Sequence, residues 1–75
     1  MRSTQAADGF YEELFSEVAL LRRQPCLFPQ YLHGTRRAVL DRYPFSVVFR
    51  ELPRKIQIIA VAHAKRRPGY WLKRL

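Results

Sequence analysis

Apolar positions in this chain follow two different periods. Up to Arg23 they recur every three or four residues: Phe10, Leu14, Val18 and Leu21 fall on one face, and Phe15 and Leu20 widen it. This spacing predicts a helix over Ala6–Arg23. Asp8, Glu12 and Glu13 near its start and Arg22 and Arg23 at its end suit the helix dipole. Gly9 weakens helix propensity by about 1 kcal/mol relative to Ala, so the ordered part is expected to begin there. Pro25 ends it, because a residue before proline is pushed out of the α region.

From Arg36 the period becomes two. Ala38 and Leu40 alternate with Arg37 and Val39 over Arg36–Arg42. Phe45, Val47 and Phe49 alternate with Ser46, Val48 and Arg50 over Phe45–Glu51. Lys55–His63 is a third run, rich in Ile and Val. Breaks at Tyr43-Pro44 and Leu52-Pro53-Arg54 make these runs an antiparallel three-stranded meander. In the last run Ile58 and Ala60 fall on one face and Ile59 and Val61 on the other, so it is expected to be the most buried strand, covered on both sides. The connection Gln24–Gly34 holds Cys26, Leu27, Phe28, Tyr31 and Leu32, too apolar for a flexible linker, and is expected to pack on the core with Cys26 as a small buried hydrophobe. Ala64–Leu75 is a basic tail. Pro68 can open a short helical turn there, anchored by Tyr70 and Trp71. The expected fold class is therefore α+β: one N-terminal helix on a three-stranded meander, with a short C-terminal helical turn, in a single domain over 1–75.

Charge refines this picture. The chain of 75 residues has 14 Lys and Arg against 6 Asp and Glu, a net +8. Residues 1–35 carry three cations and four acids, and residues 36–75 carry eleven cations and two acids, a net +9. A field this concentrated points to a polyanionic partner rather than to solubility alone. One cysteine and two histidines, Cys26, His33 and His63, exclude a disulfide framework and a convincing metal constellation, and no cofactor is expected. No apolar run long enough to span a bilayer occurs, no secretory leader is expected, and the reading is a cytoplasmic protein.

The residues able to do chemistry sit at the end of the last strand. His63 beside Lys65, Arg66 and Arg67 has its protonated form disfavoured and could act as a base. Arg66 and Arg67 can brace a phosphate, and Tyr70 can stack on a base or give a proton. That is a toolkit for metal-independent RNA cleavage, with His63, Arg66 and Tyr70 as the catalytic set. Lys65, Arg66, Arg67, Trp71, Lys73 and Arg74 are the expected contacts to nucleic acid or another target. A plainer reading stands beside each: His63 as a structural strand-end residue, Tyr70 and Trp71 packed over the sheet, and the Lys-Arg-Arg run as a solvated segment. No Gly-rich phosphate loop, Ser/His/Asp set or carboxylate pair is present.

Tyr43-Pro-Phe-Ser-Val-Val-Phe-Arg and Val61-Ala-His-Ala-Lys-Arg-Arg-Pro-Gly-Tyr-Trp together resemble the RelE/ParE superfamily of toxins from bacterial type II toxin–antitoxin, or plasmid-stabilisation, modules. The ParE-like branch is the closer fit. The resemblance covers roughly residues 10–73 and implies a toxin neutralised by a cognate antitoxin. It implies either inhibition of a macromolecular target such as DNA gyrase or ribosome-dependent cleavage of mRNA. Arg66 and Tyr70 lie where RelE-like toxins carry a catalytic arginine and tyrosine, whereas Ser46 or a neighbouring apolar residue occupies the strand position where such toxins carry another catalytic arginine, a departure that weakens the nuclease reading. The first strand and first helix of the family are missing. The resemblance therefore also admits an inactive, truncated relative, or a chain that dimerises or leans on its partner through an exposed sheet edge.

Overall fold

The computed structural model describes residues 2–75, with side chains from Ala7 onward. Helix α1 (Arg2–Arg23) leads through two single 3-10 turns, Pro25–Leu27 and Leu32–Gly34, into β1 (Arg36–Val39), β2 (Phe45–Leu52) and β3 (Lys55–His63). A last 3-10 turn covers Leu72–Arg74. The strands form one antiparallel sheet in the order β1-β2-β3, which is the expected α+β meander.

The helix begins earlier than its apolar stripe, so Asp8 lies beyond the first turn and no acid occupies that turn. It runs straight through Gly9, and packing supplies the reason. A Cβ on Gly9 would stand 2.6 Å from the Tyr43 hydroxyl oxygen, so glycine lets the β1–β2 turn close against the helix. Glu13 fastens the same junction. Its carboxylate accepts the backbone N–H groups of Asp41 and Arg42 and the Arg42 Nε–H.

The sheet is covered on both faces. On the helix face Leu21, Ala38, Val47 and Phe49 are buried, with Leu14, Phe28 and Ile56 packed around them. On the other face Val48, Ile59, Ala60 and Trp71 are buried beneath Tyr31, Leu32 and Tyr70. The connection therefore wraps around the β1 edge, with Phe28 on one side and Tyr31 and Leu32 on the other. Gln30 bridges Arg36, the Arg37 N–H donates to the Pro29 carbonyl, and the Tyr31 N–H donates to the Thr35 carbonyl.

Three expectations are corrected. The most buried strand is the central β2, whose Val47, Val48 and Phe49 are all buried, and not the edge strand β3. The alternation expected in β3 fails because Val48 pairs with Ala60 while Phe49 pairs with Ile58. Ile59 is thus the extra residue of a bulge. Ile59 and Ala60 both turn to the tail face, and Ile58 and Val61 are left exposed. Cys26 is exposed as well, because its short turn sends Phe28 inward in its place.

Candidate functional site

The C-terminal end of β3 and the tail enclose a cleft of about 80 Å³ on the face of the sheet away from α1. This is room for several water molecules and therefore for a phosphoryl oxygen set. Its floor is Ser46 and Val48 of β2 and Ala62 of β3, its far wall is Trp71, and its cations are Arg37, Arg66 and Arg67. No carboxylate lines it.

The chain reaches this geometry by turning sharply after β3. The Ala64 N–H donates to the Pro44 carbonyl and the Arg66 N–H to the His63 carbonyl, which brings Arg66 and Arg67 back over the sheet. Gly69 takes a left-handed conformation (φ 82°) that redirects the chain, and Trp71 then sinks into the core with 1% of its surface exposed. Between these anchors Tyr70 lies under the Arg66 guanidinium, 3.8 Å from ring centroid to Cζ, with Arg74 at 5.6 Å. Such stacking orients a guanidinium and leaves its N–H edge free.

Arg37 was not singled out by the sequence, yet it is the most informative residue of the cleft. It extends from β1 onto the tail face with its Cζ 4.3 Å from the Tyr31 ring centroid. Its buried Nε–H has no hydrogen-bond partner. A buried donor left unpaired costs about 1–3 kcal/mol, and the Arg37 side chain lines the cleft beside Arg66 and Arg67. The signal available in the sequence was its place in the alternation of β1, on the face opposite Ala38. What the sequence lacked was the knowledge that this face lies under the tail.

The expected catalytic set is only partly assembled. Arg66 and Tyr70 meet at the cleft. His63 borders it, but its ring pairs across the strands with Phe45 in a T-shaped contact of 4.9 Å. Phe45 shares the helix side of β2 with Val47 and Phe49. The His63 Nδ1 also accepts the Lys65 N–H at 3.0 Å, so its neutral form keeps the proton on Nε2. Trp71, expected as a stacking contact, is instead a core residue, because its indole supplies the bulk that fills the tail face. Lys65, Lys73 and Arg74 are exposed around the tail, and Arg74 donates from Nη1 to the Ile59 carbonyl at 3.3 Å.

Among the described residues, no group of His, Cys, Asp or Glu side chains is arranged to hold a metal ion, and no helix is long and apolar enough to cross a membrane. Comparison of the chain with family models, with curated proteins and with solved structures finds no match in any of the three.

Proposed function

We propose that this protein is a toxin of the RelE/ParE kind that acts by binding. It seats a phosphodiester of a nucleic-acid-containing target in the cleft formed by Arg37, Arg66 and Arg67. The observation that carries this reading is a cleft lined by three arginines, Arg37, Arg66 and Arg67, and by no acid. Guanidinium groups bind phosphate oxygens through paired, charge-assisted hydrogen bonds, and the +9 of residues 36–75 supplies the long-range attraction. A cognate antitoxin and a target such as gyrase on DNA, or the ribosome with mRNA, are the partners this reading implies.

Binding is preferred to cleavage because His63 offers no free lone pair to the cleft in this geometry. The Arg66–Tyr70 stack keeps the endoribonuclease as the second reading, since it places a phenol and a cation together at the cleft. Induced expression of the chain, with growth followed and mRNA 5′ ends mapped, separates the two. Growth arrest with no new ends, relieved in Arg37→Met, supports inhibition by binding. New codon-linked ends that vanish in Tyr70→Phe would replace it with cleavage. Absence of both would leave the inactive relative.

A further inference from the structure

Helix α1 carries more than the stripe it buries. Phe10 meets Tyr43 and Phe45, and Leu14 and Leu21 belong to the core on the helix face of the sheet. Away from the sheet runs a second row, Asp8, Glu12, Phe15, Ala19 and Arg22, every one of them exposed. Its spacings are four, three, four and three, which is the 3.5-residue repeat of a helix–helix seam.

The middle of this row is apolar and its ends are charged. Phe15 is 64% exposed, more than any other large apolar side chain among the described residues, and its ring stacks on that of Tyr11 at 6.0 Å. Single exposed apolar residues are ordinary on a protein surface. Two stacked rings on the solvent side of a helix form a platform without a cover. Asp8 and Glu12 lie on its N-terminal side, and Arg22 with Arg23 lies on its C-terminal side. None of these four has an ion-pair partner among the described residues.

This order of groups is complementary to its own reverse. In an antiparallel pair of α1 helices centred on Phe15, the two Phe15 rings meet. Each Tyr11 ring lies over Ala19 of the other copy, whose small side chain leaves room for it. Each Asp8 faces Arg22 of the other copy, and Glu12 stands about 6 Å along the axis from that same arginine, at 1.5 Å per residue. A parallel pair would instead set acid on acid and arginine on arginine, which disfavours it. A nucleic acid or an anionic membrane surface would meet Asp8 and Glu12, so neither suits this face.

We propose that α1 pairs with α1 of a second copy of this chain, antiparallel and through this seam rather than through a sheet edge. The arginine cleft lies on the face of the sheet away from α1, so the paired helices form the centre of the dimer and both clefts stay open. The seam is short, about 21 Å at 1.5 Å per residue. A weak dimer is therefore expected, dissociating at about 10–100 μM.

Sedimentation equilibrium of the full chain between about 1 μM and about 1 mM tests this. A monomer–dimer equilibrium is expected, weakened about tenfold or more in Phe15→Ser. Arg22→Glu and Asp8→Arg are each expected to be monomeric alone and to form a heterodimer when mixed, because the two reversals together restore opposite charges at both ends of the seam. The substituted side chains are exposed, so these variants keep the fold. Arg37→Met, which alters the cleft, is expected to dimerise normally, so failure of the cleft reading leaves this result standing. A chain that stays monomeric throughout the range would overturn the proposal, as would charge variants that remain apart on mixing. Association that survives Phe15→Ser and is lost in Ile58→Ser would move the contact to β3 and overturn it as well.

Discussion

The two faces of the sheet are built from the same β2 strand and serve different ends. On the helix face the buried side chains are Leu21, Ala38, Val47 and Phe49, every one apolar, and Glu13 fastens the helix at one corner. On the tail face Val48, Ile59, Ala60 and Trp71 are equally buried. There the cover is a short irregular segment that brings Arg66, Arg67 and Tyr70 over Arg37. A regular helix hides apolar surface efficiently but offers few free polar groups. An irregular tail pinned by one large aromatic residue can present several guanidinium groups at one place. One side is thus a purely apolar cover, while the other gathers the cations to which the proposed function assigns ligand binding, with Trp71 buried beneath them.

The sharpest way to break this division is Trp71→Ala. Loss of a fully buried aromatic costs about 3–5 kcal/mol, and for a domain of this size that is a large share of total stability. Phe49→Ala on the helix face is expected to cost a similar amount in denaturant unfolding. The two variants should differ in what survives under stabilising conditions: with excess osmolyte, Phe49→Ala keeps phosphate binding and Trp71→Ala loses it.

Arg37→Met tests the opposite relation. It removes a buried donor without a partner and keeps an unbranched apolar stem. Thermal unfolding without anions is expected to show unchanged or higher stability, by up to about 1 kcal/mol. Affinity for single-stranded RNA, measured by fluorescence anisotropy at low salt, is expected to fall more than tenfold. A variant that loses stability and keeps its affinity would contradict the role given to the cleft.

Two smaller effects come from neighbouring acids on α1. Burial by itself would raise the Glu13 carboxyl, but the N–H groups of Asp41 and Arg42 and the Arg42 guanidinium outweigh it and hold it below its ordinary 4.5. Its contribution to stability is present above that value and is lost as pH falls through the lowered one. Glu13→Ala should therefore lower the melting temperature by a few degrees at pH 7 and have little effect in strong acid. Glu17 behaves in reverse. Burial, then the charges of Asp41 and Glu13, raise its carboxyl above 4.5, so stability is fullest below 4.5 and declines as pH rises through the raised value. Glu17→Gln is expected to raise the melting temperature slightly at pH 7 and to leave it unchanged near pH 3.

Much of the architecture was legible because it rests on local periodicity. The four-and-three spacing of Phe10, Leu14, Val18 and Leu21 requires a helix with one apolar side. The two-residue spacing of Phe45, Val47 and Phe49 requires a strand with an inner face. The prolines at 25, 44 and 53 mark their limits. The concentration of cations after His63 was visible in the sequence. Arg66 and Tyr70, four residues apart and grouped in one candidate set, stack on each other in the structure.

Other features depend on contacts between distant segments. The bulge at Ile59 puts Ile58 and Val61 on one face where alternation would have split them, and no pattern within β3 announces it, because it arises from register against β2. Gly9 lowers helix propensity, and only the approach of Tyr43, thirty-four positions later, explains why the helix tolerates it. His63 borders the cleft, and only the fold shows that its ring meets Phe45 across the strands while its Nδ1 accepts the Lys65 N–H. Arg37 has the composition of an ordinary exposed cation on an edge strand, yet the tail folds over its face and leaves one buried N–H without a partner. Local sequence thus determined which segments are helix, strand and turn, since those choices depend on spacing and backbone restriction. Tertiary structure decided which polar groups meet and which remain unsatisfied, since that depends on what covers each face of the sheet.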